Sequence, residues 1–362
     1  MPLLKPHRMH LMRTAELTRR SAWFGLALGV VSALVQIPAA ATSPVSAEQQ
    51  VASSPTKIAE PANITDWLMR MHEASRKRSY VGTFVVSSGV AMSSARIWHV
   101  CQGDQQAERV ETLTGPKRTV YRHNDQVHTF MPDSKVLLRE RRESLGMFPD
   151  LLKSPDSAIA DFYSSKAMGT ERVAGVLADV VELLPKDNLR FAYRIWAEVK
   201  SGLVIKLETL AENGRVLEHA AFSELQLDVP LKIDKLLQMM EKTDGYRVER
   251  LELKKTTAAI EGWVLKTPVA GFKSVSCYRR PVSGLSVAGR AEPMQWTFSD
   301  GLASVSLFVE PYDGRLHQPA SSLSIGATQT MTRRLDAYWV TVMGEVPLGT
   351  LQLFASGLER KH

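Results

Sequence analysis

The sequence predicts an α+β protein, mainly antiparallel β: a strongly curved sheet with helices, then a smaller helix-capped β domain. Three observations carry that class. First, Phe191 to Asp228 runs in short segments parted by Ser201-Gly202 and Asn213-Gly214. Asn-Gly is the strongest short hairpin signal, because both residues tolerate positive φ. Second, the period inside those segments is two. Leu203, Ile205 and Leu207 fall on one side, Lys206 and Glu208 on the other, and a separate fourth run from Glu224 to Val229 alternates as cleanly. Such a meander has one apolar and one polar face. Third, similar strand-like runs recur before and after it, with few helical patterns between.

Taken in order, the chain opens on a leader. Lys5, Arg8, Arg13, Arg19 and Arg20 precede an apolar run from Ala22 to Ile37. Cleavage is expected after Ala41 or Ala47, so residues 1–47 read as a secretory signal peptide. The run is shorter than the ~20 residues that spanning needs. The formal charge of +7 falls to +3 once the +4 of residues 1–47 is set aside. That is too little for a dense basic face, and nucleic acid is not an expected partner. Residues 48–62, rich in Ser, Pro and Ala, read as a flexible linker.

A first domain is expected over residues 63–229. It begins with a helix after Asn63, with Asp66 in the first turn, Arg76-Lys77-Arg78 in the last, and a stripe of Trp67, Met71 and Ala74. Strands follow at Tyr80–Val86, Ala95–Val100, Ala107–Leu113, Thr119–His123, Gln126–Met131 and Lys135–Glu140. Leu145–Ser165 reads as a helical insertion. Two further strands, Ala167–Ala174 and Leu177–Leu184, lead into the meander. A sheet this large curls. Val229-Pro230 breaks the pattern, and residues 230–245 read as an interdomain linker with a helix on Ile233, Leu236, Leu237 and Met240. Residues 246–362 form the second domain, expected to hold six strands, of which Tyr246–Leu253 is the first, and a closing helix at Thr350–Leu358.

The inventory of chemistry is sparse. No GxSxG, HExxH, Walker loop, CxxC or dinucleotide fingerprint is present. His123 and His128 have no evident co-ligands, and Glu140 and Glu143 alternate with arginines as a solvated ion-pair face would. No catalytic residue, metal site or cofactor is expected, and the chain does not read as an enzyme. Cys101 and Cys277 lie in different domains, which leaves two thiols or one interdomain bridge open. The strand aromatics and Met residues Trp98, Phe130, Met131, Tyr193 and Trp196 either fill a core or line an apolar cavity for acyl chains. Arg279, Arg280, Arg333 and Arg334, with Trp296, Phe308 and Trp339, are candidates for gripping a protein partner or an anionic glycolipid.

Ser299-Asp300-Gly301-Leu302-Ala303-Ser304-Val305-Ser306-Leu307-Phe308-Val309-Glu310 resembles the signature of the RseB/MucB family of periplasmic regulators of the sigma-E envelope stress response. Ser79–Phe84, Gly262–Val264 with Gly271-Phe272, Gly326-Ala327 and Val340–Pro347 agree with it. The resemblance implies a first domain like LolA/LolB, a half-barrel with a lipid-sized cavity, and a smaller partner-binding domain. It implies a periplasmic negative regulator that binds the anti-sigma factor RseA/MucA and shields it from DegS-type site-1 proteolysis, with lipopolysaccharide or an acyl ligand releasing it. A periplasmic lipid or lipoprotein carrier is the alternative. Oligomeric state stays open, a homodimer included.

Overall fold

The computed structural model describes residues 64–142, 148–149, 158–280, 292–317 and 319–361. The expected leader, cleavage sites and linker lie outside these residues, as does most of the expected insertion at 145–165.

Helix α1 (Ile64–Lys77) opens the first domain with Asp66 in its first turn and Arg76 and Lys77 in its last, the charge order that a helix dipole favours. It buries Ile64, Leu68, Met71 and Ala74, so Leu68 takes the place expected for Trp67. Six strands follow as successive hairpins: β1 (Tyr80–Ser88), β2 (Ala91–Gln102), β3 (Gln105–Thr112), β4 (Thr119–His123), β5 (Gln126–Met131) and β6 (Val136–Arg141). Then come α2 (Ile159–Phe162), β7 (Tyr163–Val173), β8 (Val176–Pro185), β9 (Ala192–Glu198), β10 (Val204–Leu210) and β11 (Val216–Leu227). Tyr163–Ser165, expected to be helical, is the start of a strand.

The third and fourth runs of the central meander are one strand. β11 is continuous because a bulge absorbs the change of parity: Phe84 faces Phe222 while Thr83 faces Glu224, which leaves Ser223 extra. β11 also pairs with β1, which joins the two meanders edge to edge. The sheet order is β6-β5-β4-β3-β2-β1-β11-β10-β9-β8-β7.

Helix α3 (Ile233–Met240) lies across one face of this sheet, with Ile233 and Leu236 against Val100 and Ala107, and Met240 against Tyr121, Phe130 and Leu137. It carries the chain to the free edge of β6. There β12 (Arg247–Arg250) adds as a parallel strand, making twelve. The expectation that Tyr246–Leu253 begins the second domain is thereby corrected. Alternation in a short run shows that a strand forms, not which sheet it joins, and the crossing helix decides that.

The second domain contains β13 (Lys254–Lys255), β14 (Trp263–Leu265), β15 (Lys273–Arg279), β16 (Met294–Ser299), β17 (Ser304–Pro311), β18 (Ser321–Ile325), β19 (Thr328–Leu335), β20 (Tyr338–Gly344), α4 (Leu348–Gly357) and β21 (Leu358–Arg360). Its main sheet runs β13-β15-β16-β17-β20-β19-β18, and β14 pairs with β21 in a separate ribbon. Leu351, Phe354 and Ala355 of α4 pack with Phe272, Phe298, Val305 and Leu307 in the core of this domain. The β18–β19 hairpin has no counterpart in the sequence reading. Its first strand is Ser-rich and exposed throughout, so it lacks the apolar alternation that marks a buried face. Among the described residues no helix is long and apolar enough to cross a membrane.

Candidate binding site at the domain junction

The two domains meet through side chains buried from both sides. The 186–191 segment between β8 and β9 presents Arg190. Its Nε donates to Asp300 Oδ2 at 2.7 Å, Nη1 to Asp187, and Nη2 to the Ala270 carbonyl at 2.6 Å. The guanidinium also lies over the rings of Phe162 and Phe272, 4.3 and 4.9 Å from their centroids. Asp300 is fixed in turn, because Oδ1 accepts the backbone N–H groups of Leu302 and Ala303 at 3.0 and 2.8 Å. Tyr163 donates to Asp300 Oδ2 at 3.4 Å, and Thr350 Oγ1 donates to the Leu189 carbonyl at 2.8 Å. Leu302 packs into the core of the first domain, beside Tyr163, Tyr193 and Ile195.

Two glycines make this approach fit. A Cβ on Gly271 would fall 2.1 Å from Arg190 Nη2, and one on Gly326 would fall 1.9 Å from Ser88 Oγ. Both residues have positive φ, 81° and 59°.

Beside the clamp a cavity of about 400 Å³ opens between the curved sheet and the second domain. Its apolar wall comes from Phe84, Val86, Ala95, Val110, Leu207 and Ala220, with Phe148 reaching in. Leu302 and Glu345 close it from the second domain, and Tyr193 and Glu218 complete that end. Burial pushes Glu218 above the usual carboxyl range and the charge of Glu345 adds to this, against hydrogen bonds from Ser88 and Ala327. Burial, with the Glu345, Asp300 and Glu218 carboxylates around it, holds the Tyr193 hydroxyl well above its ordinary value. That hydroxyl has no hydrogen-bond partner among the described residues. The cavity therefore has an apolar wall, an acidic end at the domain junction, and Arg118 with Ser93, Ser94, Thr112 and Thr114 elsewhere on its lining.

On the opposite face of β8–β11 a larger groove of about 1290 Å³ runs between the domains. It is bounded by the 184–192 and 210–219 segments and by Ser324, Gly326, Gln329 and Pro347. A third cleft of about 510 Å³ lies on the second domain, beside Trp263, Phe272, Trp296 and Phe298.

Residues 63–240 match the MucB/RseB N-terminal domain, and residues 257–359 match the MucB/RseB C-terminal domain. The chain belongs to the MucB/RseB family. It is 30% identical over 310 residues to the sigma factor AlgU regulatory protein MucB of Pseudomonas aeruginosa, across 82% of this chain and 90% of that one. It is 23% identical over 298 residues to the sigma-E factor regulatory protein RseB of Escherichia coli K12, across 81% and 89%. Among solved structures it is similar to MucB in complex with MucA(peri), at a TM-score of 0.62 and 28% identity, covering 82% of this chain and 99% of that one. The MucA/MucB complex of Pseudomonas aeruginosa gives 0.64 and 27%, with the same coverage.

In this MucB/RseB chain the first half of the Ser299–Glu310 signature is buried at the domain junction, and in its second half alternate residues face the core. Asp300 and Leu302 lock the domains together, while Val305, Leu307 and Val309 fill the second core. Of the five candidates for an acyl cavity, Tyr193 alone lines the 400 Å³ space. Trp196 stands three residues on, on the other face of β9, where its Nε1 donates to Glu171 at 2.7 Å and Lys206 lies 3.8 Å from its ring centroid. Trp98 faces α3 under the guanidinium of Arg109. Phe130 packs on Met240 and Tyr246, and Met131 ends β5 half-buried, outside the cavity wall.

The partner candidates divide by strand parity. Trp296, Arg279 and Arg333 share the face that α4 covers. Trp296 Nε1 donates to Ser274 at 2.7 Å, Arg279 pairs with Glu261, and Arg333 Nη1 donates to the Ala355 carbonyl at 3.2 Å. Phe308, Arg334 and Trp339 take the other face. There Arg334 lies 4.1 Å from the Tyr312 ring centroid and Trp339 stacks on His317 at 4.9 Å. Arg280 hydrogen-bonds Gln295 at 3.1 Å. No single patch unites the seven. Arg190, Asp300, Glu218 and Glu345 were absent from the candidates. Asp300, inside the signature, and Glu345, inside the matching Val340–Pro347 segment, carried a signal that could have pointed to them, whereas Arg190 and Glu218 carried none.

Proposed function

We propose that the chain is a periplasmic negative regulator of the sigma-E type. It binds the periplasmic segment of an anti-sigma factor of the RseA/MucA kind and shields it from site-1 cleavage. The observation that carries this reading is similarity over both domains to MucB structures solved with MucA. The interdomain groove of about 1290 Å³ is where this reading seats the segment, and the neighbouring cavity gives an acyl ligand access to the same junction. A ligand that favours a domain arrangement unable to hold the segment releases it, by the difference in its affinity for the two arrangements.

The test uses the mature chain and a synthetic anti-sigma periplasmic segment with a DegS-type protease. Binding that slows cleavage is expected, and lipopolysaccharide or a long-chain acyl ligand should restore cleavage. Cleavage at the same rate with and without the chain would refute the reading. The cavity also favours a second reading, a lipid carrier. A carrier transfers a fluorescent acyl ligand between vesicles and captures no segment, so the two assays separate the readings.

A further inference from the structure

Away from the junction, one connected set of side chains spans four strands of the first sheet. Register sets it. Tyr80, His99, Glu108 and Arg122 stand opposite one another on β1, β2, β3 and β4. Cys101 follows His99 by two residues and so shares its face. His99 Nδ1 lies 2.8 Å from Glu108 Oε1, and His99 Nε2 lies 3.1 Å from Cys101 Sγ. Arg122 grips the carboxylate with Nε and Nη2, each at 2.9 Å. The Tyr80 ring stacks on the imidazole at 4.9 Å and 8°. His99 is fully buried, whereas Cys101 is partly exposed.

We propose that Cys101 is a hydroperoxide-reactive thiol, with His99 as its base and Glu108 and Arg122 as the groups that position the base. The chemistry follows from the tautomer. With Nδ1–H donated to Glu108, Nε2 is the acceptor that faces the thiol. The thiol proton passes to Nε2, and the new N–H faces both the thiolate and the Arg76 carbonyl, 3.3 Å away. The thiolate attacks one peroxide oxygen. An S–O bond forms as the O–O bond breaks, and the departing alkoxide or hydroxide takes the proton from His99. The products are a sulfenic acid and an alcohol or water.

The electrostatics agree with this geometry. Burial pulls the His99 pKa down, but hydrogen bonds and charge from Cys101 and Glu108 outweigh it and hold the group at about 9. Burial pushes Glu108 up, and Arg122 and His99 outweigh that to leave it at about 2. The charged and titratable groups facing His99 are thus Glu108, Arg122 and Cys101, with the Tyr80 ring above it and the Arg76 carbonyl at the end of α1. Cys277 is the internal contrast. It sits in the core of the second domain, where burial and the Glu261 charge push its thiol up to about 11. Cys101 Sγ also lies against the Arg76 carbonyl, in the last turn of α1, so its one proton goes either to that carbonyl or to Nε2.

The test treats the mature chain with hydrogen peroxide or an organic hydroperoxide. A 1,3-diketone traps sulfenic acid, and mass spectrometry reads each cysteine. Cys101 should be trapped at least about tenfold faster than Cys277. Cys277, pushed up to about 11 by burial, holds almost no thiolate at pH 6.5 and has no base beside it among the described residues. His99→Gln should slow trapping about tenfold at pH 6.5 and restore a rise towards pH 8.5. Glu108→Gln, which keeps the side-chain shape, should do the same to a lesser degree and serves where the first variant does not fold. Equal trapping of the two cysteines would overturn the proposal, as would a pH profile unchanged in the folded variant.

Discussion

Arg190 Nε donates to Asp300 Oδ2 at 2.7 Å across the domain boundary, with both side chains shut off from solvent. The acid belongs to the family signature, and the base comes from a segment with no motif of its own. A charge pair this deep contributes little net stability against apolar replacements, because both ions lose their hydration. Its value lies in specificity. An arginine and a carboxylate, each with further fixed partners, tolerate only one relative placement of the domains.

Removing one partner should therefore cost more than removing both. Asp300→Ala leaves the Arg190 charge buried and should destabilise the chain by about 3–5 kcal/mol, the range for breaking a buried pair. Arg190→Met with Asp300→Leu should cost clearly less than the two single changes added together. Urea unfolding of the two singles and the double completes the cycle. Additive costs would mean that the pair does not act as a unit.

Glu218 gives a pH dependence of opposite sign to the common carboxylate case. Its folded-state pKa is raised by burial and by Glu345, so the folded chain holds this proton more tightly than the unfolded one. Stability from this group is present at acidic pH and lost as pH rises above the ordinary glutamate value of about 4.5. Glu218→Gln should raise Tm at pH 7.5 and leave it nearly unchanged at pH 4.5. The same substitution keeps an acceptor for Ser88 and the Ala327 N–H. Equal Tm shifts at the two pH values would show that Glu218 is not ionised against its surroundings.

The strands were legible in the sequence wherever one face is buried. Thr119–His123 and Gln126–Met131 fall where the alternation places them. What was hidden depends on long-range placement. The Ser223 bulge reverses parity inside β11, and β12 leaves its own domain for the edge of β6. The cavity candidates suffered from the same parity problem. Tyr193 and Trp196 are three residues apart and must face opposite ways, yet nothing local shows which face the second domain closes. Arg190 looked like any loop arginine because its partners across the domain boundary lie 80 and 110 positions away.

Charge reversal at neighbouring arginines should now separate stability from binding. Arg333 donates to the Ala355 carbonyl near the C-terminal end of α4, where a cation also complements the helix dipole. Arg333→Glu should cost about 1 kcal/mol or somewhat more, read as a lower urea midpoint, from that dipole contact and the lost hydrogen bond. Arg334 is exposed over Tyr312, and Arg334→Glu should leave the midpoint unchanged. If an acidic segment or glycolipid docks on that face, Arg334→Glu should weaken it at low salt, with the difference shrinking towards 1 M salt as screening shortens to about 3 Å. Identical affinity at low salt would take that face out of partner binding.

The cavity itself can be filled without touching the clamp. Ala220 is buried on the wall of the 400 Å³ space, directly across from Leu207 on β10. Ala220→Leu adds three carbons on the cavity wall, so its cost should fall at or below the low end of the about 1–3 kcal/mol that overpacking a filled core carries. A bound acyl chain would compete for the same volume, and its affinity should drop about tenfold, which corresponds to about 1.4 kcal/mol. Capture of an anti-sigma segment in the groove on the other sheet face should persist, but acyl ligand should no longer release it. Loss of capture together with loss of acyl binding would mean that the two faces are one site, and release would then be direct competition rather than a shift between domain arrangements.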